Sequence, residues 1–443
     1  MRHTSAASYA LGVLWALAVA GCAPGEGAGS GQEWLATRDT AGDTIVVTTV
    51  SGSIWGDTAE LVPEVEIGML EGPEEYTFGQ VYSLAVAGDG TIYAMDRQVP
   101  ALRVYEPDGT YRTTFGRAGG GPGEYQRPDG GLNVLSDGRV LLRDPANARI
   151  QVFGPDGTPL DAWRIRGGFN TSNRMIVDTL DRAYNLILLD AEADVRDWRS
   201  GLVRILPDGT PADTIEAPDT GYEGPRIEAR HQAEDGGMSA SINDVPFSPS
   251  EHAVLSPHGY FIHGISTKYS LTLLKPDGPI RIVKDFDPVP VASGEKREEE
   301  AQATRDMRST DPAWRWDGPP IPDTKPPYVS IHPGEDGTVW VKVSRPGARR
   351  EDPDYDPTDP EAIREEWSEP IVFDVFDDQG RYLGAVRAPE DFRTSPLPIF
   401  TREAVLATTR DELDVQRIVR FRVTLPDGSS PARTAADTGS SGD

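Results

Sequence analysis

Along most of the chain, short apolar stretches alternate with turn signals, at a period that suits strands rather than helices. LRVY (102–105), IQVF (150–153), LVRIL (202–206), LTLLK (271–275) and RFRVTL (420–425) each lead, within one residue, into Pro-Asp-Gly. IVFDVF (371–376) leads in the same way toward Asp378-Gln379-Gly380. Period-two apolar character bounded by Asp-Gly marks a half-buried strand entering a hairpin, because a tight hairpin turn needs residues at positive φ. The closing glycines (Gly109, Gly157, Gly209, Gly278, Gly380 and Gly428) lie 48, 52, 69, 102 and 48 residues apart. A second turn sits upstream in most units: Asp89-Gly90, Asp137-Gly138, His258-Gly259 and Asp336-Gly337, each before a new apolar stretch. The first two full units superpose at an offset of 48, which carries Asp89, Asp96 and Asp108 onto Asp137, Asp144 and Asp156.

A unit of about 48 residues holding two hairpins is close to one blade of a β-propeller. The pattern therefore predicts an all-β fold, a six-bladed β-propeller with four-stranded blades. The gap of 102 residues conceals no seventh blade, since 289–327 is charged and Pro-rich without an alternating strand. The last unit runs out before a fourth strand. LVPEVEIG (61–68) can supply it, because Ile67-Gly68, Gly72-Pro73 and Tyr76 repeat the order of Phe115-Gly116, Gly121-Pro122 and Tyr125, which follow an outer strand. An N-terminal strand closing the last blade leaves no free edge in the ring.

The first residues read as an address. Arg2 and His3 precede the apolar stretch from Tyr9 to Ala20, which is too short to span a bilayer. Val19-Ala20-Gly21-Cys22 looks like a bacterial lipobox, which makes Cys22 the lipidation site and the new N-terminus. Cys22 is the chain's one cysteine, so no intrachain disulfide is expected. Ala23 rather than Asp after it resembles outer-membrane sorting in a Gram-negative host. The chain divides into a lipoprotein signal peptide (1–21), a lipid-anchored flexible tether (22–57), the propeller (58–428) and a disordered tail (429–443).

Composition sharpens this picture. With 46 Gly and 38 Pro in 443 residues the chain is loop-rich, and a helical bundle or coiled coil is excluded. A net charge of -28 repels phosphate backbones and anionic lipid, so no nucleic acid is expected and membrane contact falls to the N-terminal lipid alone. The expected place is the cell envelope, as a monomer facing the periplasm or the surface.

FGRAGGGPGEYQRPDGGLNVLSDGRVLLRDPANARIQVFGPDG (115–157) resembles the NHL-repeat six-bladed propellers: a Gly-Pro-Gly-Glu-aromatic segment, an Asp-Gly turn, Asp-x-x-Asn-x-Arg-Ile, then a strand. The likeness is clear over 79–165, and DELDV (411–415) resembles bacterial lipoproteins built on this propeller. The resemblance implies a fold and a set of loops rather than one activity, since such propellers include ligand-binding sensors, scaffolds and metal-using lyases or lactonases. Asp144, Asn147 and Arg149 match the repeat and are expected to brace loops.

Candidate chemistry concentrates in the insertions 116–128, 190–201, 218–250, 288–327 and 344–369, which all fall at the end of the strands opposite the tight hairpins. Loop variation on one rim of a rigid scaffold is where binding lives. Trp198, Trp314, Trp316 and Trp367 with Arg117, Arg127 and Arg345 are the candidate ligand-binding residues, as rings beside guanidinium groups suit a sugar, a peptide or an anion. The function expected is recognition of an unidentified small ligand or envelope protein through this face. A metal-dependent lyase or lactone hydrolase at the channel and a structural adaptor in an envelope complex are the alternatives. No catalytic residue and no cofactor is assigned. His263 and His332 are the pair a metal at the axis would use, and Asp352, Asp354, Asp356 and Asp359 resemble a calcium loop without its glycine and final glutamate. SGEKREEEAQATRDMRST (293–310) is expected to form a charged helix capped by Ser293, serving as a lid or a solvated spacer.

Overall fold

The computed structural model describes residues 33–98, 100–165, 171, 174–190, 199–232, 238–316, 318–351 and 365–431. Cys22, Trp198 and the acidic run 352–359 lie outside the described residues. The described chain is mostly β, with many small sheets and one α-helix.

It opens with a hairpin of β1 (Leu35–Ala41) and β2 (Thr44–Ser51), followed by β3 (Ala59–Ile67). This corrects the expectation of a flexible tether reaching residue 57. TIVVTTV is β-branched throughout and forms a strand that buries Val47 and pairs in parallel with Ile280–Lys284, Ile45 lying opposite Ile280.

After β3, four antiparallel strands in succession recur along the chain. The first run is Val81–Val86, Ile92–Asp96, Ala101–Tyr105 and Tyr111–Phe115; the second is Leu132–Val134, Val140–Asp144, Arg149–Phe153 and Pro159–Arg164. The third is Ile176–Val177, Ala183–Leu188, Ser200–Ile205 and Pro211–Glu216. The fourth, Glu251–Leu255, Phe261–Ile265, Ser270–Leu273 and Ile280–Lys284, carries the β1–β2 hairpin on its outer edge. The fifth is Tyr328–Pro333, Val339–Val343, Val372–Phe376 and Tyr382–Arg387. In the sixth, Phe392–Arg393 and Ile399–Phe400 both pair with Ala404–Arg410, which pairs with Gln416–Thr424. There β3 supplies the outer strand, antiparallel to Gln416–Thr424, with Glu60 opposite Thr424 and Ile67 opposite Ile418.

The hairpins use their glycines as the turn chemistry requires. Gly90, Gly109, Gly138 and Gly157 have φ of 89°, 87°, 84° and 83°, a region closed to most side chains. The aspartate before each folds back on the chain: Asp89 Oδ1 accepts the Thr91 N–H at 3.0 Å, and Asp108 Oδ1 the Thr110 N–H at 2.9 Å.

Apolar clusters glue successive runs face to face. Tyr93, Leu102 and Phe115 of the first run meet Leu132, Leu142 and Phe153 of the second. Ile150 and Trp163 meet Ala183 and Ile205 of the third. Tyr269 and Leu271 of the fourth meet Tyr328 and Val341 of the fifth. Trp340 and Phe373 of the fifth meet Phe392, Phe400 and Phe421 of the sixth. Ile399 and Ile418 return to Leu84 and Ile92 of the first. Among the described residues, no such cluster joins the third run to the fourth. That seam is held by the Thr179 N–H donating to the Pro257 carbonyl at 3.0 Å, with Gly259 set against Arg182 and Asp178.

The helix α1 (Ser293–Thr310) forms where the charged segment predicts it, but its N-cap is Ala292 rather than Ser293. Glu295 Oε2 accepts the Ala292 N–H at 2.8 Å, so a carboxylate within the first turn satisfies the end of the helix and the serine hydroxyl is not used for it.

Candidate functional site

Four of the candidate residues gather around α1, and they act as its anchors. Trp314 is only 5% exposed and sits among Ile227, Ala229, Val245, Ala303, Met307 and Ile321. Its indole N–H donates to the Glu228 carbonyl at 2.7 Å, so ring and donor are both occupied. Trp316 meets it edge-on at 6.2 Å and turns its own N–H to the Gly318 and Pro319 carbonyls, both at 3.2 Å. Trp367 lies against Gly294 and donates its backbone N–H to Glu298 Oε2 at 2.7 Å. Arg345 contributes backbone: its N–H goes to Glu369 Oε2 at 2.9 Å and its carbonyl accepts from Lys325 at 3.1 Å. Buried at a large apolar interface, Trp314 offers no stacking face to a ligand.

Beneath α1 lies a buried ionic knot. The fully buried Lys325 ammonium meets Glu295 Oε1 at 2.5 Å and Glu369 Oε1 at 2.6 Å, and the Phe247 ring stands 5.0 Å away. Burial pushes the Glu299 carboxyl up, and the neighbouring charges of Glu298, Glu295 and Glu369 add to it.

Arg117 and Arg127 stand apart from that group, on the loop 116–128. Arg117 is exposed and pairs with Glu124 at 2.8 Å, while Arg127 gives its backbone N–H to Asp144 Oδ1 at 2.9 Å. The residues matching the repeat brace this loop: Asn147 donates to Asp144 Oδ2 at 2.6 Å, and Arg149 to the Gly121 and Glu124 carbonyls, both at 2.7 Å. Asp96, one repeat earlier, does the same for the preceding loop, taking the Gly79 N–H at 2.8 Å and Arg103 at 3.3 Å.

The two histidines do not share a ligand set. His332 bonds to the Ser330 hydroxyl at 2.9 Å and lies 5.1 Å from the Phe400 ring. Burial lowers its pKa to about 4, aided by the charge of Lys342, so the ring is neutral at pH 7. His263 donates to Glu251 Oε1 at 2.7 Å, the only sense available with an ionised carboxylate. Among the described residues no three His, Cys, Asp or Glu converge on one point.

Two cavities open where the runs are joined by long connections. The larger, about 480 Å³, lies in the seam between the third and fourth runs, the one without an apolar cluster. Its walls include Arg199, Glu216, Tyr222, Arg226, Asp244 and Glu251. Most of these charges are already arranged: Arg199 pairs with Glu216 at 2.9 Å, and Arg226 with Asp244 at 3.5 Å. Glu251 is held firmly, since its Oε1 also accepts the Thr220 hydroxyl at 2.8 Å and the Thr220 N–H at 3.1 Å. Burial pushes this carboxyl up, but the bonds from His263 and Thr220 outweigh it and hold the group below the ordinary glutamate value. Its Oε2 has no protein partner among the described residues. None of the six described ligand-binding candidates lines this cavity, although it lies on the insertions 190–201 and 218–250 that sequence singles out. The second cavity, about 280 Å³, lies between the sixth and first runs.

No protein-family profile and no curated protein matches the chain. Similar solved structures include a DUF4221-family member from Bacteroides vulgatus, with 10% identity, 83% of this chain and 99% of that one covered, and a TM-score of 0.43. A gluconolactonase from Xanthomonas campestris is 12% identical over 84% of this chain and 88% of its own, with a TM-score of 0.35. Virginiamycin B lyase from Staphylococcus aureus is 12% identical over 77% of this chain and 96% of its own, with a TM-score of 0.31. Likenesses this distant carry no argument about activity. Within the described residues, no helix is long and apolar enough to cross a membrane.

Proposed function

We propose that the six four-stranded runs are the blades of a six-bladed β-propeller closed by β3, held at a bacterial envelope membrane by lipid on Cys22. Its role is recognition: the cavity between the third and fourth blades takes a small, hydroxyl-rich ligand such as a sugar. One observation carries this reading. Among the described residues, the seam that lacks an apolar cluster holds a cavity of about 480 Å³, walled by polar groups on the long connections. Burial of apolar surface is what closes the other seams, at roughly 1.5–3 kcal/mol per large side chain. A polar wedge left open between blades gives up that stabilisation, which fits a surface kept for binding.

The chemistry of the walls narrows the ligand. Four carboxylates against two guanidinium groups disfavour an anion, and fixed carboxylates beside the Tyr222 ring suit hydroxyl or amine donors on a ring. The test is calorimetric titration of the full chain in detergent with D-glucose, N-acetyl-D-glucosamine and D-glucosamine. At least one is expected to bind, and Glu251→Gln to weaken it tenfold or more, as loss of a charge-assisted hydrogen bond worth about 1.5–3 kcal/mol requires. Silence from all three sugars, or an unchanged affinity in Glu251→Gln, overturns the assignment.

The anchor has its own test. Cys22→Ser is expected to move the protein from the membrane fraction to the soluble fraction of its bacterial host and to abolish labelling by palmitate. Retention in membranes with full labelling contradicts lipidation at Cys22.

A further inference from the structure

We infer that the second cavity, between the sixth and first runs, is a separate binding site for a small carboxylate on the scale of a sugar acid. Its walls are Gln80, Val81, Tyr82, Arg393, Ser395, Pro396, Arg410 and Gln416, and its only charged members are the two arginines. In a chain of net charge -28, a cavity whose charged walls are both cations is set against the background.

The two guanidinium groups are not consumed by carboxylates inside the cavity. Arg393 is fixed in place by carbonyls: its Nη1 donates to those of Glu390 and Phe392, both at 3.1 Å, and its Nη2 reaches that of Arg410 at 3.4 Å. Nη2 keeps a second hydrogen, and Nε has no protein partner among the described residues. Arg393 thereby keeps two donor hydrogens, and a guanidinium offers such donors to the two oxygens of a carboxylate. Arg410 pairs at 2.9 Å with Asp414, whose side chain is 75% exposed, so water screens that pair and a bound anion competes with it readily.

The rest of the cavity suits the body of such a ligand. Tyr82 presents a ring braced by the Arg97 guanidinium 4.6 Å from its centroid, and its hydroxyl has no protein partner among the described residues. Gln416 locks the floor by accepting the Val81 N–H on its Oε1 at 2.8 Å, which ties the two runs together. A volume of about 280 Å³ admits one pyranose-sized acid and excludes a chain of them. The site is distinct from the sugar cavity, shares no residue with it, and stands or falls independently.

The experiment is calorimetric titration of the full chain with D-glucuronate, D-glucose and inorganic phosphate, repeated on Arg393→Met and Arg393→Lys. D-glucuronate is expected to bind at a site that D-glucose does not displace. Arg393→Met should weaken it tenfold or more. Arg393→Lys keeps the charge without the guanidinium and should weaken it several-fold, which guards against a merely structural loss in the methionine variant. Thermal unfolding of each variant reports whether the seam still holds. No binding of D-glucuronate, equal affinity in Arg393→Lys and wild type, or tighter binding of phosphate than of D-glucuronate each overturns the assignment.

Discussion

A chain that lacks residues 33–67 is expected to lose its cooperative unfolding transition, whereas one that lacks only 33–57 keeps it. The difference between the two is β3. Without it, the strand Gln416–Thr424 becomes an unpaired edge, and the cluster that contains Phe392, Phe400 and Phe421 loses Ala59 and Leu61. Ile67 leaves the neighbouring cluster shared with Leu84 and Ile92. Leu61 and Ile67 contribute roughly 1.5–3 kcal/mol each through burial, and each lost ladder hydrogen bond adds about 1 kcal/mol. Against a domain stability of about 5–15 kcal/mol, this deletion removes most of the margin. The shorter deletion removes β1 and β2, which extend the fourth run from outside and bury Val47 with Trp34 and Ile45 partly covered. It also removes Trp55, which packs on the outer strand of the fifth run, but it leaves both neighbours of Gln416–Thr424 in place. Circular dichroism melts of both proteins check the expectation. A sharp, unshifted transition in the longer deletion contradicts the closing role of β3.

Lys325→Met is expected to destabilise the protein by about 3–5 kcal/mol, the usual consequence of leaving a buried charge without its partner. Lys325 spends all three ammonium hydrogens, on Glu295, on Glu369 and on the Arg345 carbonyl at 3.1 Å. Removing it leaves two carboxylates facing each other under α1, beside Glu299, which burial already pushes toward the protonated form. The helix should then detach first, seen as faster proteolysis within 293–316 and a lower denaturant midpoint. Adding Glu369→Gln to Lys325→Met should recover part of the loss, since one of the stranded charges is gone. A loss below about 1 kcal/mol, with α1 still protected, contradicts the arrangement.

Sequence carried the strands far better than the site. The hairpins were legible because each depends on a local rule, an apolar alternation ending at a glycine held at positive φ. The closing strand was legible because Ile67-Gly68 and Tyr76 repeat an order found again at Phe115-Gly116 and Tyr125. The β1–β2 hairpin is hidden by its position after a Gly-rich stretch and by the lack of a clean alternation in TIVVTTV, whose β-branched residues are its strand signal. Around α1, sequence points to the aromatic residues but not to what they face; whether a tryptophan meets solvent or a neighbouring insertion is a matter of tertiary contact, and Trp314 turns inward.

The cavity walls were missed for a different reason. Arg199, Tyr222, Glu251 and their neighbours have no shared spacing and come from separate insertions and strand ends. What marks their seam is the missing apolar cluster between the third and fourth runs, a property of packed faces rather than of any local pattern. His263, which sequence offers only as one of the pair a metal would use, holds Glu251 in place, a role that only the partner across the strand reveals.

The most direct measurement of the central claim is hydrogen–deuterium exchange of the full chain, with and without a saturating amount of whichever of the three sugars binds tightest. The account predicts slower exchange at 199–200, 216–226 and 249–253, with residues 80–82 and 393–416 unchanged. Protection elsewhere on the molecule with none along the seam between the third and fourth runs would contradict it.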